Sequence, residues 1–124
     1  MGYCATYYGD MKTRPLTPPE KTALDLRLRF WKDENVFEDF DYGFATDDSC
    51  AITLSGNSKY YEEDVKDFLA EIEPYMNSGE IEYSGEDETF WQFEFRNGNW
   101  YYNIGYIQYT RAIKPMFKKL EVKQ

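Results

Sequence analysis

The sequence predicts an α+β domain: an antiparallel sheet of about five strands with two helices packed on one face. Three observations carry that expectation. Period-two runs rich in Tyr, Thr and other large side chains recur along the chain, two stretches repeat apolar residues every three to four positions, and an Asn97-Gly98 pair joins two aromatic runs. The 124 residues suit one hydrophobic core, and no repeat or linker divides them, so 1-124 reads as a single domain.

In order, GYCATYYGDMK over 2–12 is the first strand. In TRPLTPPE, Thr17 is a good N-cap, Pro18 suits the first helical position and Glu20 completes a capping box. The helix runs to about Asp33 and buries Leu24, Leu28 and Trp31, although LDLRLRF within it also alternates as a strand would. NVFEDFDYGFATDD is polar, aromatic and irregular, and reads as a loop. DSCAITLSG is a strand ended by Gly56. Tyr61, Val65, Phe68, Leu69, Ile72 and Met76 then form one helical stripe, with Glu62, Glu63 and Asp64 in the first turn and Pro74 marking the end.

The remainder reads as a meander. GEIEYSG pairs with the next strand through a Glu86-Asp87-Glu88 turn, setting Tyr83 opposite Trp91, Ile81 opposite Phe93 and Glu80 opposite Glu94. The Asn97-Gly98 hairpin sets Phe95 opposite Trp100, Phe93 opposite Tyr102 and Trp91 opposite Ile104, which makes a core face of those six side chains. The basic end, TRAIKPMFKKLEVKQ, reads as a short closing strand and a frayed tail.

Composition narrows the chemistry. With no histidine there is no imidazole base or ligand, and two cysteines cannot build a four-thiolate metal site within one chain. Cys4 and Cys50 read as free buried thiols in a reducing compartment. DFDYGFATDDSC, from Asp39 to Cys50, lacks the turn glycine and closing glutamate of a calcium loop, so no metal and no other cofactor is expected. MGYCAT fits the myristoylation pattern loosely, and an ordinary buried N-terminus is the preferred reading. No apolar run approaches the ~18 residues of a membrane helix.

Charge is the feature that any account of function has to use. GEIEYSGEDE places five carboxylates in ten positions. Between Asp33 and Glu94, nineteen acidic side chains stand against two basic ones, Lys59 and Lys66; outside that span four stand against twelve, for a net charge of −9. Such a distribution steers toward a basic partner and disfavours direct binding to nucleic acid. The candidate partner-binding residues are Glu80, Glu82, Glu86, Asp87, Glu88 and Glu94 of the meander, with Asp39, Asp41, Asp47 and Asp48 of the loop. A catalytic alternative is a small carboxylate- or magnesium-dependent enzyme acting on a nucleotide or sugar, with Glu80 and Glu94 as an acid–base pair. No nucleophile or phosphate-loop motif supports it, so a non-enzymatic protein is expected and no catalytic residue is assigned.

MGYCATYYGDMKTRPLTPPE, AITLSGNSKYYEEDVKDFLAEIEP and GEIEYSGEDETFWQF together resemble a family of small bacteriophage and prophage proteins. Its members begin Met-Gly-Tyr and carry a Gly-Glu-(Ile/Val)-Glu-aromatic-x-Gly-Glu-Asp strand and turn. The likeness spans nearly the whole chain, through recurring positions Lys59, Tyr61, Glu80, Glu82, Gly85, Glu86 and Asp87. Leu54, Ser58, Glu88 and Thr89 depart from the pattern. The resemblance implies an α+β fold and brings no activity or residue role with it; with the free thiols, it leads to the expectation of a protein in the cytoplasm of a bacterial host. The expected function is therefore a phage accessory protein that inhibits a host protein through a nucleic-acid-mimicking acidic surface.

Overall fold

Alternation of small or polar residues with large apolar ones decides the centre of the molecule. In the computed structural model, which describes residues 3–105, buried and exposed side chains alternate along Cys4–Thr13 (β1). Ala5, Tyr7 and Met11 point into the core, and Thr6, Tyr8, Asp10 and Lys12 point out. The further strands are Asp39–Phe44 (β2), Cys50–Lys59 (β3), Met76–Gly85 (β4), Phe90–Arg96 (β5) and Asn99–Gly105 (β6). They form one six-stranded sheet in the order β2-β3-β1-β4-β5-β6, antiparallel throughout. Helices Pro18–Glu34 (α1) and Glu62–Ile72 (α2) contribute their buried stripes to the same core cluster as the inward strand residues. The predicted α+β class stands, with one strand more than expected among the described residues.

That extra strand is β2, inside the segment read as a loop. Phe40 is buried between exposed Asp39 and Asp41, and their alternation is that of a half-buried strand. Acids at alternate positions of this edge also discourage pairing with a foreign strand. β3, expected to stop at Gly56, continues to Lys59. Gly56 lets the Tyr7 hydroxyl approach the backbone closely, and a Cβ there would collide with it. The freed hydroxyl accepts the Glu38 N–H at 2.7 Å and so anchors the start of β2.

The start of α1 is as expected. Glu20 N donates to Thr17 Oγ1 at 3.3 Å, and Thr17 N donates to Glu20 Oε1 at 2.9 Å. The buried residues Leu24, Leu28 and Trp31 settle the helical reading over the strand. Arg14 then grips both Glu20 oxygens, at 3.1 and 2.8 Å, and donates to the Pro74 carbonyl at 3.1 Å. One guanidinium thus ties the β1–α1 connection to the turn after α2. Arg14, followed by the Thr17 backbone, holds the Glu20 carboxyl down at about 2. A depressed carboxylate stabilises the fold above its ordinary value of 4.5, and that contribution is lost as pH falls toward about 2. Urea midpoints measured down the acid limb should therefore show a shallower fall in Arg14→Met than in the native chain. Parallel curves would contradict this.

α2 is shorter than its apolar stripe. It ends at Ile72, a 3-10 turn spans Glu73–Tyr75 at Pro74, and Met76 already belongs to β4. The turns of the meander follow from positive φ. Glu88 at 64° closes the three-residue turn, and Asn97 at 52° with Gly98 at 82° makes the primed hairpin. All six expected cross-strand pairs form. The core face is narrower than predicted, however, because Tyr102 and Ile104 are 58% and 56% exposed. α2 reaches β6 at Trp100, whose indole donates to the Leu69 carbonyl at 3.0 Å, so the edge strand keeps its outer apolar groups uncovered among the described residues.

The expected closing strand and the myristoylation pattern at Met1-Gly2 lie outside the described residues. Cys4 and Cys50 are both free; Cys50 is buried, and burial pushes its thiol up to about 11, while Cys4 is partly exposed. Among the described residues no helix is long and apolar enough to cross a membrane.

Candidate docking face

The side of the sheet opposite the helices is built from the outward residues of all six strands. The pairing register aligns them in two adjacent rows. One row runs Asp41, Thr53, Asp10, Glu80, Glu94, Tyr101 from β2 to β6. The next runs Asp39, Ser55, Tyr8, Glu82, Gln92, Asn103. Six carboxylates thus share a strip crossing from β2 to β5. At ~4.8 Å per strand the strip is ~19 Å long, or about one charge per 3 Å. Three cations of the described residues share this face: Lys12 reaches the β2–β3 turn to pair with Asp47 at 3.6 Å, Lys59 sits at the end of β3, and Arg96 pairs with Glu94 of the first row at 3.1 Å.

Of the ten predicted site residues, the fold brings five together here: Glu80, Glu82, Glu94, Asp39 and Asp41. The other five sit in turns at opposite ends of the sheet. Asp47 and Asp48 lie beyond the Thr13 end of β1, where Asp47 accepts from Ser49 and Asp48 accepts from Lys21. Glu86, Asp87 and Glu88 lie beyond the Cys4 end, where Asp87 accepts from Tyr3 and Thr89 and Glu86 accepts the Cys4 N–H at 3.2 Å. One continuous acidic surface across all ten is therefore not formed.

Asp10 is the member the sequence did not reveal. It is the lone acid of its strand, and only the central position of β1, between β3 and β4, places it beside Glu80. Strand order is a non-local property, and no spacing in the sequence encodes it.

The centre of the strip is electrostatically crowded. The Glu80 carboxyl is raised above its ordinary value, first by the hydrogen bond it shares with Glu82 on protonation. Partial burial and the charges of Glu82, Glu94 and Asp10 add to the effect. Glu94 moves the other way, held down by Asn103 Nδ2 at 2.9 Å and then by Arg96. Amides knit the rows together: Gln92 donates to Glu80 at 3.3 Å and Asn103 donates to Gln92 at 2.8 Å. Arg96 in turn stacks on Tyr101 at 3.9 Å. The strip is thus an array of carboxylates linked by amides, with the Glu80 carboxyl raised by its neighbours.

Glu80 and Glu94 are direct cross-strand partners, as the sequence indicated. No group of three or more acidic or cysteine side chains among the described residues is placed to hold a metal ion. Comparison of the chain with protein-family models, curated proteins and solved structures finds no match.

Proposed function

We propose that this chain is a non-enzymatic phage or prophage accessory protein that binds and inhibits a basic host protein through the acidic strip. A nucleic-acid-handling defence factor, such as a CRISPR component, is the kind of target that fits. The observation supporting this is the register itself, which lines up six carboxylates from four strands on the face opposite the helices. Their density of about one per 3 Å compares with one phosphate per 3.4 Å along each strand of duplex DNA. Lysines and arginines that ordinarily neutralise phosphates would meet acceptors at a similar linear density, spread over two rows. With a net charge of −9 the chain itself is repelled by nucleic acid.

The test is affinity capture from a bacterial host, with the bound protein identified and its affinity measured between about 50 mM and 200 mM salt. Affinity should fall steeply over that range. Capture that is insensitive to both salt and Glu80→Lys contradicts the proposal.

A further inference from the structure

At the Cys4 end of the sheet lies a cleft of about 660 Å³, and none of the strip carboxylates is among its lining residues. That volume is in the range of small-molecule sites. Its walls are aromatic. Trp91 stands at the hub, stacked on Tyr83 at 5.1 Å and met edge-on by Tyr60 at 5.0 Å, with the Tyr3 ring 6.2 Å away. The exposed residues Tyr102 and Ile104 complete one side, and Glu62 and Glu88 are the acidic residues of the lining. Among the described residues, no lysine or arginine lines the cleft.

Two features separate this cleft from ordinary aromatic packing. Trp91 is 9% exposed, yet its indole N–H has no acceptor among the described residues. The Tyr60 hydroxyl is near enough to Trp91 for their contact to offset part of the burial that raises the Tyr60 phenol, but its geometry falls short of a full hydrogen bond to the indole N–H. A buried donor left unpaired costs about 1–3 kcal/mol and needs an explanation. The second feature is the combination of ring faces with carboxylates. Ring faces carry negative potential and attract a cation within about 6 Å, and desolvation strengthens the attraction. Glu62 also pairs with Lys66 one turn along α2, at 2.8 Å. Both partners are half exposed, so the pair is weak and the carboxylate keeps free acceptor positions.

We propose that the cleft binds a compact organic cation carrying a nearby hydrogen-bond acceptor. The cation sits against Tyr60, Trp91 and Tyr102 and between Glu62 and Glu88, while the acceptor takes the Trp91 N–H. A free alkylammonium ligand and an arginine or lysine side chain next to its own peptide carbonyl share this chemistry.

Titrating the full chain with acetylcholine, with its neutral tert-butyl analogue and with N-acetylarginine methylamide distinguishes these. The Trp91 indole N–H resonance is the readout. At least one cationic probe should shift that resonance with a Kd near or below about 1 mM, and the neutral analogue should bind at least tenfold more weakly. The tighter of the two cations identifies the source. Tyr102→Ala and Glu62→Gln, both at exposed positions, should each weaken binding, whereas Glu82→Gln on the acidic strip should leave it unchanged. Equal response to the neutral analogue, no response to either cation, or full binding in both cleft variants overturns the proposal. None of these outcomes bears on the acidic strip, whose own test is salt-dependent capture.

Discussion

Phe68→Ala is expected to destabilise the domain by about 3–5 kcal/mol, the range for emptying a buried aromatic site. Phe68 is fully buried on α2, with the rings of Trp31, Phe37 and Phe40 around it at 5.7, 5.1 and 5.7 Å. It therefore joins α1, the α1–β2 connection and the edge strand through one side chain. Three surrounding rings leave a void that cannot collapse without moving two elements, so the loss belongs in the upper part of the range. Against a typical total of about 5–15 kcal/mol, that brings the domain close to unfolding. Urea denaturation measures it directly. A loss below about 1 kcal/mol would mean that Phe68 is not the hub the packing indicates. The strip depends on this core, because Asp39 and Asp41 reach it only while β2 stays docked through Phe40.

Glu80→Lys combined with Glu82→Lys is expected to lower partner affinity by at least tenfold, on the order of 1.4 kcal/mol or more, while leaving the fold intact. Each reversal changes the charge by two, so the net charge moves from −9 to −5, with the change concentrated at the centre of the strip. The same substitutions relieve repulsion in the free protein. Like charges opposed across a sheet cost a few tenths to about 1 kcal/mol, and Glu80 has Glu94 opposite, Asp10 on its other side and Glu82 beside it. Stability should therefore hold or rise as binding is lost, the trade expected where a surface is kept for function.

The pH dependence carries the same sign. A raised carboxyl does not penalise the fold below its ordinary value of 4.5, where it is protonated both folded and unfolded. The penalty grows as pH rises through the window between that value and its raised one, then stays constant. Glu80→Gln should remove it, so the unfolding midpoints of native chain and variant should separate as pH rises through that window. Midpoints that remain parallel would contradict the crowding of the strip.

Much of the fold was legible because its signals are local. The capping box from Thr17 to Glu20 announced α1, the Tyr61–Ile72 stripe announced α2, and Asn97-Gly98 with the aromatic alternation set the register of the meander. β2 was hidden because its single buried residue, Phe40, sits among acids that composition alone assigns to a loop. β3 was cut short because Gly56 reads as a terminator, when its role is to admit the Tyr7 hydroxyl. Of the candidate site, the Glu80–Glu94 pairing followed from hairpin register, which adjacent sequence encodes. Bringing Asp10, Asp39 and Asp41 to the same face required the order β2-β3-β1-β4, set by contacts between distant segments. The aromatic cleft was missed for the same reason: Tyr3, Tyr60 and Trp91 come from three separate parts of the chain.

The most direct test of the acidic strip as a docking surface is the salt dependence of affinity for the captured host protein. It should be measured for the native chain and for Glu80→Gln combined with Glu82→Gln. Log affinity should fall steeply with log salt for the native chain and clearly less steeply for the variant, since fewer ion contacts then form on binding. Identical slopes in the two proteins would show that the partner does not touch these carboxylates.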